Sequence, residues 1–406
     1  MNKLKIVWLC HFTSKEVQAK LPIWKKKNES APWIPNMIKG IMGRNDIELH
    51  IISPHEYLKK NTSYSEDNIH FHFIHYGMPI IHRHWPAKFH YDVFSNFSTY
   101  RKKVKLAVEI IKPDLINLIG AENAYYSSAI LDFKDQYPIL ISIQGFISQL
   151  KHVVGDSAAG GKKIEIEERI LREFKYFCGE QDSSTYIKAY NPNHKFFKLV
   201  FAINEDLALS TFGNEKTYDC IYYGRLHKTK GTEEFIKVIA EIKKTIPHIK
   251  ACIVGSGDAK PYKVIAEELG CTENIDFLGF METQKELFEK VKESKVFLAP
   301  PLLERLSMTI REAMFLKVPI VAYATGGIPY INEFGENILM VKTGDYQAMA
   351  EKTILLLQND KMREALSEKA YQYAQSEFSL KANTNRLLEA YYDIINKVNI
   401  GVADEL

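Results

Sequence analysis

Charged residues beside turns and glycines are where this chain could do chemistry. Gly224-Arg225-Leu226 follows an apolar run, and Lys230-Gly231 opens an amphipathic one. That order puts two cations next to a helix N-terminus, whose unpaired N–H groups already favour an anion. Arginine grips phosphate oxygens with a planar fork, whereas lysine acts as a point charge. The plain alternative is a surface Arg and Lys on a strand–helix loop. A second segment, Pro300–Met314, reads PPLLERLSMTIREAM. A strand is expected to end at its prolines and a helix to begin near Ser307. Glu304 then lies at the loop lip and Glu312 inside the helix, roughly 12 Å apart if the intervening chain is helical. A diphosphate can rest on the helix N–H groups while one carboxylate reaches a sugar and the other a ribose. Taken singly, Glu312 reads as a helix-surface residue and Glu304 as a first-turn acid favoured by the helix dipole. Downstream, Ala324-Thr325-Gly326-Gly327-Ile328-Pro329 follows the next apolar run. Its paired glycines permit close ligand approach or simply a tight turn.

The elements that must position these residues follow from the alternation of short apolar runs with longer amphipathic stretches. Strands are predicted in the first half at Lys5–Cys10, Ile47–Ser53, Ile69–Tyr76, Asp114–Gly120 and Pro138–Gly145. The second half adds Tyr218–Gly224, Ile249–Gly255, Ile275–Gly279, Lys295–Pro300, Pro319–Ala324 and Ile338–Thr343. Many are Val/Ile/Leu-rich without alternation, as in strands covered on both faces. Helical periodicity appears at Gly231–Thr245, Tyr262–Gly270, Gln284–Ser294 and Asp345–Gln358, then over 360–376 and 380–398. Such alternation implies parallel βαβ units, hence two doubly wound α/β domains with a helical tail. Ligands bind such sheets at the carboxyl ends of strands, where the charged residues above fall.

At roughly 100–200 residues per domain, the length of 406 residues suggests two domains, with three as the alternative. A domain boundary is expected near 200–216: an N-terminal domain over 1–205, a second over 206–376, and a terminal helix over 377–406. The formal charge of +3 excludes a dedicated nucleic-acid binder relying on bulk charge. MNKLKIVWLCHF has too short an apolar run for a signal peptide, and no stretch is long enough to predict a membrane-spanning helix. The five cysteines (10, 178, 220, 252 and 271) are odd in number and contain no CxxC, which points to free thiols in a reducing cytoplasm.

The ordered series GRLHKTKG, IVGSGD, FLGF, the Glu304/Glu312 pair with EAM, VPIVAYATGG and TGD resembles the nucleotide-sugar domain of retaining glycosyltransferases, specifically glycosyltransferase family 4. The match runs over about 140 residues, 222–358. The resemblance implies the GT-B fold: two Rossmann-like doubly wound domains facing across a cleft, with C-terminal helices of which the last crosses back to the first domain. It implies catalytic roles for Arg225 and Lys230 on the donor diphosphate and for Glu304 on the transferred sugar. It also implies donor contacts from Glu312 to the ribose, from the main chain at Leu306, Ser307, Met308 and Thr309, and from Gly224. The base would be read near Ser256 and Phe280. Gln144, in ILISIQGF, stands where the family often has a donor-contacting His; its alternative role is to cap the next loop.

The implied reaction moves a sugar from a UDP- or GDP-type nucleotide sugar to a hydroxyl of a glycan or lipid-linked acceptor, with no metal and no cofactor. Its setting would be cytoplasmic, in bacterial surface-polysaccharide synthesis, with peripheral contact to the inner membrane and no nucleic-acid partner. The chain departs from the family pattern at Arg305 and Ser307, often glycines, and at Tyr330, often Glu. CHFTSKE replaces the usual Gly-rich loop after the first strand. Two other readings are a nucleotide-sugar 2-epimerase of related fold and a non-catalytic nucleotide-sugar or partner-binding relative.

Other signals read as structural. Gly255-Ser256-Gly257 begins a dinucleotide fingerprint but has Lys260 at its sixth position. The histidines at 70, 72, 75, 82 and 84 fit no HExxH spacing, and the alternation in IHFHFIHYG predicts a half-exposed strand. No Asp-x-Asp occurs, in agreement with a metal-independent transferase. The basic clusters Trp24–Lys27 and Arg101–Lys105 read as solvated faces, or alternatively as contacts with an anionic membrane.

Overall fold

A computed structural model describes residues 3–20, 33–55, 58–75, 91–155, 157–213, 215–305 and 307–404. Trp24–Lys27, Tyr76, His82, His84 and Leu306 lie outside the described residues. The chain divides into two compact units, one formed by Met1–Phe201 with Asn383–Leu406 and the other by Ala202–Ala382.

In the first unit the strands are β1 (Leu4–Leu9), β2 (Ile47–His55), β3 (Thr62–Glu66), β4 (Ile69–His75), β5 (Leu115–Ile119), β6 (Ile139–Ser142), β7 (Tyr176–Gly179) and β8 (Lys195–Lys198). They form one sheet in the order β3-β4-β2-β1-β5-β6-β7-β8, parallel except for the β3/β4 hairpin. Five of these strands fall on predicted apolar runs. The other three do not, for a physical reason. TSYSE of β3 is a polar edge strand, and KFFK of β8 at the other edge carries Lys at both ends. YFCG of β7, an interior strand, follows the helix Ala158–Glu173 after only Phe174 and Lys175, so its short apolar run merges with the helical pattern. Charged and short edges are how sheets avoid pairing with other chains, and they erase the apolar signal.

The helix Leu380–Asp404 contributes its residues from Asn383 onward to this first unit. Asn383 Oδ1 accepts from the Val200 N–H at 3.0 Å. The buried Tyr391 hydroxyl accepts from Trp8 Nε1 and from Asn117 Nδ2, both at 2.8 Å, and Asn117 Oδ1 accepts from Ser142 at 2.8 Å. Tyr391→Phe would strand two buried N–H donors, each costing about 1–3 kcal/mol. We therefore expect a loss of at least about 2 kcal/mol in denaturant unfolding.

The second unit is wholly parallel: β9 (Tyr218–Tyr223), β10 (Ala251–Val254), β11 (Ile275–Gly279), β12 (Ser294–Ala299), β13 (Ile320–Tyr323) and β14 (Leu339–Val341), in the order β11-β10-β9-β12-β13-β14. All six coincide with predicted runs. The helix Thr232–Lys243 shows why the layers close: Phe235, Ile239 and Ile242 recur at helical spacing and bury against Ile253, Val296 and Val321 of the sheet. Strand order reverses between β9 and β12, which makes the loops after those two strands the topological switch point. All five cysteines are free and buried. Among the described residues no helix is long and apolar enough to cross a membrane.

Candidate active site

The loops on either side of the switch carry the charged candidates. After β9 the chain passes Gly224 and Arg225 into a short turn, Lys228–Lys230, and the next helix begins after Gly231. Hydroxyls beneath hold this loop in place. The Tyr222 hydroxyl lies 3.0 Å from the Arg225 carbonyl and 3.3 Å from that of Lys230, while Thr232 Oγ1 donates to it at 3.1 Å. The His227 N–H in turn donates to Thr232 Oγ1 at 3.1 Å. These supports are absent from the sequence expectations. Their only signal was a hydroxyl residue two before Gly224 and another directly after Gly231.

Across the switch, β12 ends at Ala299 and two prolines lead to Glu304. The Leu302 and Leu303 N–H groups both donate to the Thr229 carbonyl, at 2.9 and 3.1 Å, joining the two loops main chain to main chain. Two glycines permit this closeness. Gly231 has φ +81°, and a Cβ there would sit 1.8 Å from the Pro300 carbonyl oxygen. Gly326 has φ +57°, and a Cβ there would sit 1.7 Å from the Glu304 carbonyl oxygen. The paired-glycine motif after β13 is thus a close-approach site against the Glu304 loop.

Packed this way, Lys230 and Glu304 meet: Nζ lies 2.7 Å from Oε2, with side chains 38% and 16% exposed. Glu304 Oε1 also accepts from the Arg305 N–H at 3.1 Å. Arg225 is exposed on the same loop as Lys230, and no carboxylate among the described residues pairs with it. The helix Met308–Phe315 starts immediately after Ser307. The Ser307 hydroxyl makes no cap bond to the first turn and instead sits 2.7 Å from Thr309 Oγ1, while the Tyr223 hydroxyl donates to the Thr309 carbonyl. The first-turn N–H groups of this helix are those that favour an anion.

Glu312, on the same helix, is only 6% exposed and accepts from Gln284 Nε2 at 3.0 Å. Burial pushes its carboxyl up to about 7, opposed by the Gln284 hydrogen bond and the Arg311 charge. An acid whose folded value exceeds its unfolded 4.5 binds its proton more tightly in the native state between those limits. Its stability contribution is therefore full below pH 4.5 and lost as pH rises through 7. At about 1.4 kcal/mol per unit the loss approaches about 3 kcal/mol. Glu312→Gln should accordingly stabilise the ligand-free protein by about 2–3 kcal/mol at pH 8, and the gain should shrink towards pH 5. Denaturant melts across that range would check it.

The remaining candidates fall on neighbouring strand ends. The Gly224 N–H donates to the Val254 carbonyl at 3.0 Å, and the Ser256 carbonyl accepts from the Leu226 N–H at 2.8 Å, tying the β9 and β10 loops together. Phe280, just past β11, is 71% exposed. Met308 and Thr309 lie in the first turn after Ser307. Gln144 is half-buried two residues past β6, on the first unit, and Leu306 lies outside the described residues. Gln284, a partner of Glu312, was missed because it opens a helix 28 residues away in sequence.

Comparison with known proteins bears on this region first. Residues 208–373 match the family model for glycosyl transferases group 1. An alpha-D-kanosaminyltransferase of Streptomyces kanamyceticus is 27% identical over 176 residues, 43% of this chain and 45% of that protein. A D-inositol 3-phosphate glycosyltransferase of Corynebacterium glutamicum is 30% identical over 186 residues, 44% of each. The chain thus spans less than half the length of these curated relatives. Solved structures extend the likeness to nearly the whole chain. The sucrose-phosphate synthase of Thermosynechococcus elongatus superposes with TM-score 0.73 at 14% identity, over 97% of this chain and 100% of that one. The HepE protein of Anabaena, solved with UDP, does so with TM-score 0.66 at 14% identity and the same coverages. Residues 208–373 are therefore a glycosyl transferases group 1 domain, carried in a chain with the GT-B fold.

Proposed function

We propose that this protein is a retaining glycosyltransferase that moves a sugar from a UDP- or GDP-type nucleotide sugar to a hydroxyl of a glycan or lipid-linked acceptor. The observation carrying this reading is the joining of the β9 and β12 loops at the switch point, which puts Lys230 2.7 Å from Glu304 beside a helix N-terminus. A partly exposed ion pair of this kind is worth about 0–1 kcal/mol, so an incoming diphosphate displaces it at little cost. Lys230 then turns to phosphate oxygens together with Arg225, and Glu304 is released to accept from hydroxyls of the transferred sugar. Glu312 accepts from the ribose hydroxyls.

In the transfer step the bond between the anomeric carbon and the diphosphate oxygen breaks, and negative charge grows on the leaving phosphate. Arg225, Lys230 and the first turn of the Met308–Phe315 helix stabilise that charge without reorganising. The acceptor oxygen attacks from the face the phosphate leaves, and the phosphate takes the acceptor proton, so configuration is retained. No paired acid and base carboxylates are required, unlike in glycosidases. In this reading no metal takes part in the transfer. Cytoplasmic surface-polysaccharide synthesis, with the acceptor at the inner membrane face, is the setting this reading favours.

The reading is tested by calorimetric titration of the full chain with UDP, GDP and ADP. One of the first two should bind, and Arg225→Ala should weaken it by about tenfold or more, as the loss of a charge-assisted hydrogen bond contributing about 1.5–3 kcal/mol requires. Absence of binding by every nucleotide, or an unaltered affinity in Arg225→Ala, would overturn it.

A further inference from the structure

Outside the donor loops, one cluster of ligating side chains stands out, on the sheet of the first unit. Register sets His50 of β2 opposite His70 of β4, and Ile52 opposite His72. Strand periodicity then brings Glu48, His50, His70 and His72 to one face. The His50 ring stacks on His70 at 4.6 Å and on His72 at 5.3 Å between centroids.

We propose that Glu48, His50 and His70 form a zinc-type divalent metal site, completed by water, that clips β2 to β4. Ligand atoms of the three residues lie within 4.8 Å of one another. Glu48 Oε1 is 2.9 Å from His50 Nε2 and 3.7 Å from His70 Nε2. A tetrahedral ion with bonds of about 2.0–2.1 Å holds its ligand atoms roughly 3.3 Å apart, and these two separations fall on either side of that value. Two imidazoles and one carboxylate with an open fourth position are a donor set that suits zinc.

The outer hydrogen bonds also suit it. His70 Nδ1 lies 2.7 Å from Ser65 Oγ, so an Nδ1–H donating to that hydroxyl leaves Nε2 bare for a metal. His50 Nδ1 lies 3.0 Å from His72 Nε2, and His72 Nδ1 lies 3.3 Å from Ser63 Oγ. This chain can run in either direction. With His50 Nε2–H donating to Glu48, Nδ1 accepts from His72, which accepts from Ser63. With a metal on His50 Nε2, Nδ1–H donates to His72, which donates to Ser63. Both rings keep one proton in each direction, so the reversal leaves them neutral, the form that ligates. The nearest cation in register, Lys5 opposite Glu48, sends its Nζ to the Ile111 carbonyl at 3.2 Å.

Glu48, His50 and His70 sit in the amino-terminal halves of β2 and β4, whereas substrates approach doubly wound sheets at the carboxyl ends. The site is accordingly a structural clip rather than part of the transfer step. This also shows what alternation alone concealed: IHFHFIH does form a half-exposed strand, but its register meets Glu48 and His50.

The test titrates metal-stripped full-length protein with Zn²⁺ by calorimetry and with Co²⁺ by visible absorption. One equivalent should bind, with the intense absorption of four-coordinate Co²⁺ and a raised melting temperature in Zn²⁺. His70→Ala should abolish these signals. Ser65→Ala, on an exposed side chain that does not touch the core, should weaken binding about 10–100-fold while leaving UDP and GDP titrations unchanged. Absence of Zn²⁺ binding, a weak six-coordinate Co²⁺ spectrum, or binding that survives both substitutions would overturn the proposal. None of these outcomes touches the nucleotide reading, which is measured separately.

Discussion

Lys230→Ala should lower donor turnover about 100–1,000-fold, the usual effect of removing one preorganised donor from a site of developing negative charge. The loss should appear mainly in kcat. In the ligand-free protein Lys230 already has a partner in Glu304, 2.7 Å away, and part of its interaction with a ground-state diphosphate is offset by breaking that pair. Charge on the leaving phosphate is greatest after the bond has broken, so the cation contributes most there. Lys230→Arg keeps the charge with a bulkier, planar head and should recover part of the rate. Steady-state kinetics of the three proteins would check this; a loss confined to KM would show that Lys230 serves binding alone.

Gly231→Ala should be strongly damaging to the second unit. A left-handed backbone costs an L-residue about 1–2 kcal/mol, and here the new Cβ would also lie 1.8 Å from the Pro300 carbonyl oxygen. The β9 and β12 loops would have to part, breaking the bonds from the Leu302 and Leu303 N–H groups to Thr229. We expect about 3–5 kcal/mol of destabilisation, within the range of changes at special backbone positions, and at least a tenfold loss of nucleotide affinity. At about 2–4 °C per kcal/mol for a unit of this size, the melting temperature should fall by roughly 10 °C. An unchanged melting temperature would mean the loops close without Gly231. Gly270, where a Cβ meets nothing within 4 Å, provides the matched control for a left-handed glycine.

The second unit was legible because its central strands β10, β12 and β13 are buried along nearly their whole length and its loops are short. Runs such as Cys220–Tyr223 and Val296–Ala299 therefore announce themselves, and the glycines and charges between them mark strand ends. What the sequence concealed were partners set by tertiary packing. Gln284 meets Glu312 only because the helices after β11 and β12 approach, and Tyr222 reaches under its own loop only because the strand ends there. Glu312 itself reads as a helix-surface acid, yet it is buried, and its raised carboxyl follows from that burial alone. In the first unit the polar edge strands β3 and β8 carry no apolar pattern. The histidine cluster depends on a β2/β4 register that no local spacing reports.

Transfer from a nucleotide sugar with retention at the proposed Lys230–Glu304 site is tested most directly by proton NMR of donor cleavage. The full chain is incubated with a panel of UDP- and GDP-linked α-sugars in the absence of acceptor, so that water takes its place, and the anomeric signal of the first sugar released is followed before mutarotation. Slow cleavage of at least one donor is expected, with an α-configured first product and loss of that cleavage in Lys230→Ala. A β-configured first product, or cleavage undiminished in Lys230→Ala, would contradict this reading.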